Sequence, residues 1–95
     1  MAKPKIKPEI GTEKVVSASP HWNVVILNDP VNYQDYVVIV LTNVLGISHT
    51  QAKKYMLKVH NEGRAIVWTG KLERAEMIVL ELQQWHLNAQ LEKNG

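Results

Sequence analysis

The sequence has no cysteine among its 95 residues, which removes disulfides, thiol nucleophiles and thiolate metal sites together and fits a reducing compartment. Long apolar runs are missing too. The longest, Val24–Leu27 and Tyr36–Leu41, fall far short of the roughly 20 residues that span a bilayer. The basic opening Met-Ala-Lys-Pro-Lys has no apolar signal core behind it. A soluble intracellular protein without a membrane partner is expected. Serine occurs only at positions 17, 19 and 48, and the five glycines stand singly at 11, 46, 63, 70 and 95, so no Gly-rich phosphate loop is present. The histidines at 21, 49, 60 and 86 show no i, i+4 pairing with one another and no HExxH arrangement. With no reactive constellation to assemble, the expectation is a protein that is not an enzyme and has no metal site and no cofactor.

What is there is one modest domain. A hydrophobic fraction of 45% is ordinary for a globular chain, and at this length the core is small and a deep catalytic cleft is not expected. The sequence pI near 9.0 raises the question of nucleic acid. Lys3, Lys5, Lys7 and Lys14 against Glu9 and Glu13 leave two surplus positive charges in residues 1–19, whereas seven basic and seven acidic residues cancel from Pro20 onward. The folded part therefore has no charge imbalance that would draw phosphate, and no nucleic-acid partner is expected.

Residues 1–20, with Lys and Pro interspersed and no helical or strand period, are expected to form a flexible arm, and residues 21–95 the folded core. Trp22–Leu27 is rich in β-branched residues and stops at Asn28-Asp29-Pro30, which predicts a strand buried on both faces. Asn32 has the chemistry of a helix N-cap, with Asp35 three residues on. Tyr36, Val37, Val40, Leu41 and Val44 then recur at helical spacing up to Gly46. Ser48-His-Thr-Gln51 matches a capping box for a second helix, with Ala52, Met56 and Val59 inward and Gly63 as its stop. Ala65–Trp68 reads as a short strand, about Lys71 to Trp85 as a third helix with Leu72, Ala75, Val79 and Leu82 on one face, and Leu87–Leu91 as a last strand. The order β-α-α-β-α-β predicts an α+β domain, three helices packed on an open three-stranded sheet.

Taken alone, Asn28-Asp29-Pro30 simply ends a strand and His60 complements a helix dipole. Taken in order, the two segments resemble something definite. Val24-Val-Ile-Leu-Asn-Asp-Pro-Val-Asn-Tyr-Gln-Asp-Tyr-Val37 is similar to the first strand and helix of the ClpS family, the N-degron adaptors of Clp proteases. Tyr55-Met-Leu-Lys-Val-His-Asn-Glu-Gly-Arg-Ala65 resembles that family's second-helix signature, Met-x-x-Val-His-x-x-Gly. The resemblance runs from Trp22 to the C-terminus and weakens toward Leu91-Glu-Lys93.

The resemblance implies an adaptor that binds proteins by a large hydrophobic or aromatic N-terminal residue. It would deliver them to a ClpA- or ClpC-type AAA+ unfoldase in the bacterial cytoplasm, or in the plastid stroma of a plant. Carried over by position, Asn28, Asp29 and His60 would hold the substrate's α-amine. Asn32, Gln34, Val37, Met56, Val59 and Leu87 would line its side-chain pocket, Glu73 and Glu76 would face the unfoldase, and the arm would be engaged during hand-over. An N-terminal α-amine has a pKa near ~7.7–8.0 and is mostly an ammonium with three donors at neutral pH. An amide oxygen and an unprotonated imidazole nitrogen are suitable acceptors, and internal residues have no such group.

Two positions depart from the family's pattern. Pro30 stands where its Asn-Asp-Asp motif has a second acid, so a water replaces that acceptor, Asp29 turns inward, or affinity falls by on the order of 1–3 kcal/mol. Gln34 stands where Met is usual, which makes the rim more polar and implies a narrower range: Phe and Tyr favoured, with Trp and Leu still allowed. The competing expectation is a degenerate relative that regulates the unfoldase without reading N-termini.

Overall fold

The computed structural model describes residues 20–29 and 31–94; the expected arm, Pro20 apart, and the departure at Pro30 lie outside the described residues. The elements are β1 (Trp22–Leu27), α1 (Gln34–Leu45), α2 (His49–Glu62), β2 (Arg64–Gly70), α3 (Leu72–Gln84) and β3 (Ala89–Lys93). They form three helices and one three-stranded sheet in strand order β2-β1-β3, antiparallel at both pairings. The α+β order read from the sequence is the order observed.

The central place of β1 explains its unbroken apolar run. Strand side chains alternate between faces, so Val24 and Ile26 join the core shared with Leu41, Met56, Val79 and Leu82 of the helices. Val25 points to the other face and is still fully buried. Arg64 of β2 and Glu92 of β3 join across that face at 2.6 Å, a half-exposed pair worth about 1 kcal/mol at most. Asn23, the buried polar residue of β1, has its side-chain oxygen satisfied by the Thr69 hydroxyl at 2.8 Å.

Helix α2 starts as expected: the Ser48 hydroxyl oxygen accepts from the Gln51 backbone N–H at 3.1 Å. Gly46 and Gly63 close α1 and α2 with φ of 67° and 90°, the left-handed region that glycine enters freely. Helix α1 differs from expectation. Its N-cap is Tyr33, whose side chain makes no capping bond; Asn32 stands one residue earlier, its amide nitrogen bonded to Asp29 and to His86 O. Val38 is buried on the inner face while Val37 and Val44 are only half-buried. On α3, Ala75, Ile78, Val79 and Leu82 are buried, whereas Leu72, which was expected to face inward, is exposed.

The end of α3 also differs. Leu87 is not in the last strand, which begins at Ala89. The chain instead leaves the helix through paired backbone bonds: His86 N–H donates to Gln83 O at 2.9 Å, and Leu87 N–H to Leu82 O at 3.0 Å. This is a Schellman closure with His86 (φ 67°) where glycine would normally sit, and it brings Leu87 back against Leu82 in the core. Left-handed backbone costs a residue with a Cβ roughly 1–2 kcal/mol. His86→Gly is therefore expected to raise stability by about 1 kcal/mol after the added chain entropy of glycine, measured as a higher urea midpoint at unchanged slope.

Candidate functional site

The C-terminal end of β1 is held by two turns. Leu27 N–H donates to Asn88 O at 2.8 Å and Asn28 N–H donates to Gly63 O at 3.1 Å. These bonds fix the Asn28 backbone between the α2–β2 and α3–β3 connections, beside the last turn of α2, where His60 stands. The elements here diverge around a cavity of about 380 Å3. That lies at the small end of ligand pockets and suits one large side chain with its backbone.

The side chains divide by chemistry. Val37, Met56, Val59 and Leu87 supply an apolar wall, and Asn28, Asp29, Asn32, Gln34 and His60 supply a polar mouth. Met56, Val59 and His60 share one face of α2 at i, i+3 and i+4. Met56 and Val59 are buried and belong to the core as well as to the cavity, while Asn28 and His60 are exposed. All nine positions expected around the amine and the side chain therefore border one space. Glu73 and Glu76 do not; they are exposed near the start of α3.

The mouth is built by hydrogen bonds that reach across the chain. Asp29 accepts from Val31 N–H at 2.9 Å through one carboxylate oxygen and from the Asn32 amide at 2.9 Å through the other. Asn32 donates its second amide proton to His86 O, 54 residues away, at 2.8 Å. The Tyr36 hydroxyl donates to Trp85 O at 2.7 Å. The turn that delivers Leu87 is thus tied to both the loop after β1 and to α1. Asp29 is mainly a loop-holding residue here, with lone-pair capacity left on both oxygens. His60 Nδ1 lies 3.0 Å from the Gln34 amide nitrogen.

Ile26, Leu27, Tyr33 and Asn88 also line the cavity and were not singled out in the sequence. Ile26 and Leu27 precede the motif and could have been found by adjacency. Asn88 arrives through pairing of distant strands and leaves no local signal. Among the described residues no cluster of three His, Asp or Glu side chains could hold a metal ion, and no helix is long and apolar enough to cross a membrane.

The described residues thus form a small α+β domain with a cavity in which an apolar wall meets polar side chains. Residues 17–92 match the family model described as "ATP-dependent Clp protease adaptor protein ClpS". The chain is 34% identical over 95 residues to the ATP-dependent Clp protease adapter protein ClpS of Corynebacterium diphtheriae, covering 100% of this chain and 84% of that relative. To the protein of the same description in Mycolicibacterium paratuberculosis it is 40% identical over 79 residues, covering 83% of this chain and 74% of the relative. The chain belongs to the ClpS family of Clp protease adaptors. Its fold is shared with Agrobacterium tumefaciens ClpS2, solved bound to L-phenylalaninamide. The TM-score is 0.78 at 23% identity, over 80% of this chain and 99% of that one.

Proposed function

We propose that this adaptor captures proteins by a large N-terminal residue, Phe and Tyr before Trp and Leu, and presents them to a ClpA- or ClpC-type unfoldase. The observation that carries the reading is the junction of an apolar wall with a cluster of acceptors in one small cavity. Burying a large aromatic side chain against Val37, Met56, Val59 and Leu87 contributes on the order of 2–3 kcal/mol. The Asn28 amide oxygen and a His60 ring nitrogen accept from the terminal ammonium, and the Asp29 carboxylate adds a favourable charge nearby. Asn32 and Gln34 form the polar rim. L-phenylalaninamide, the ligand of the A. tumefaciens ClpS2 structure, combines a free α-amine with one aromatic side chain, the two features this cavity is suited to receive. Glu73 and Glu76, exposed on α3 and clear of the cavity, are the proposed unfoldase contacts, leaving the substrate mouth open.

Fluorescence anisotropy with a peptide bearing free N-terminal Phe, its N-acetylated twin and the same sequence beginning with Tyr, Trp, Leu or Ile tests the reading. Acetylation removes the charge and two of the three donors, so the acetylated peptide is expected to bind at least tenfold more weakly. Phe and Tyr are expected to lead the series. Equal binding of the two Phe peptides would favour a regulator that does not read N-termini, and Leu binding as well as Phe would refute the narrowed range.

A further inference from the structure

A neutral imidazole carries one ring proton, so one nitrogen donates and the other holds the only lone pair available to a donor. In this chain the Gln34 amide stands against that ring. Its nitrogen lies 3.0 Å from His60 Nδ1; in this orientation the amide donates, Nδ1 accepts and the ring proton belongs on Nε2. An N-terminal ammonium offers only donors. It meets a ring whose free nitrogen is a donor and whose acceptor is covered.

Resting on the amine-binding reading above, we infer that Gln34 is an internal stand-in for the substrate amine, occupying the acceptor atom of His60 in the empty site and setting affinity by having to yield it. The placement suits this role. Gln34 is the first residue of α1 and His60 lies in the last turn of α2, so the bond joins two helix ends across the cavity mouth. Both side chains are exposed, and the glutamine can swing into water without disturbing a packed neighbour. Asn28, the other proposed acceptor, makes no side-chain hydrogen bond among the described residues, so the competition concerns His60 alone. The opposite arrangement, with the amide oxygen accepting from Nδ1–H and leaving Nε2 free, would make Gln34 a helper of amine binding, so removing it would have the opposite sign.

The test compares wild type, Gln34→Met and Gln34→Ala, each with His60 intact and with His60→Ala, for binding of the free and acetylated Phe peptides. Giving up one neutral hydrogen bond corresponds to about a twofold to tenfold change. Both Gln34 substitutions are expected to tighten free-Phe binding by that factor when His60 is present and to have no effect when it is absent. The imidazole 15N shifts supply a second readout that pocket shape does not move: in the free wild-type protein Nδ1 is expected to be unprotonated, and Gln34→Ala to show mixed tautomers. Weaker or unchanged binding by the Gln34 variants, a gain that persists without His60, or a protonated Nδ1 in the free wild type would overturn the inference while leaving the amine site standing. Failure of wild type and Gln34→Met alike to prefer the free peptide would remove the amine site itself, and the inference with it.

Discussion

Leu82→Ala is expected to cost 2–5 kcal/mol of folding stability, on the order of what buried Leu-to-Ala changes remove elsewhere. Leu82 is fully buried on α3 and belongs to the core that joins the helices to β1. The truncation leaves a cavity that its neighbours cannot all close, since Val24 and Leu41 are fully buried as well. Domains are stable by only about 5–15 kcal/mol, and one this small has little core in reserve. Leu82 also shares the core with Leu87 across the Schellman closure; alanine keeps the backbone carbonyl that receives the Leu87 N–H but removes the side chain beside it, so the cavity wall should loosen together with the fold. Leu80→Ala on the same helix is the control, because Leu80 is 60% exposed and such changes usually stay within about 0.5 kcal/mol. Urea unfolding of the two variants checks the contrast. Similar midpoints would mean that α3 does not carry the core as described.

Legibility in the sequence followed the range of the interaction. Strand β1 was visible because a central strand buried on both faces needs a run of apolar residues, and Trp22–Leu27 is such a run. The end of α1 and both limits of α2 were visible at Gly46, Ser48 and Gly63, whose capping bonds span three or four residues. The cavity wall was legible by resemblance, and on α2 also by spacing. What misled were places where a side chain or a turn depended on something distant in the chain. Asn32 has an N-cap's chemistry, yet its amide bridges Asp29 to the His86 carbonyl, and no local pattern encodes a partner 54 residues away. The end of α3 was hidden for a related reason: the left-handed position that glycine usually marks is filled by His86, so the turn looked like the beginning of a strand. The Gln34–His60 bond was invisible as well, because it depends on how two helices meet.

Asn28→Ala and His60→Ala are each expected to weaken binding of a free N-terminal Phe peptide about tenfold to a hundredfold without changing stability. Both effects follow from where these side chains sit. They are exposed, and the bond that anchors the Asn28 segment to Gly63 comes from its backbone N–H, which alanine keeps. Surface truncations of this kind usually shift folding by no more than about 0.5 kcal/mol. The ammonium has three donors, and a bound peptide withdraws them from water. Each acceptor removed leaves a charged donor without a partner, and hydrogen bonds to charged groups are worth roughly 1.5–3 kcal/mol, which is the stated range of affinity. Losses in the double variant should fall short of the sum, since both acceptors serve one group. The acetylated peptide, which keeps one uncharged N–H in place of three ammonium donors, should lose much less affinity in both variants than the free peptide does. Wild-type affinity in either variant, or equal losses for the free and acetylated peptides, would show that the cavity grips its ligand by the side chain alone.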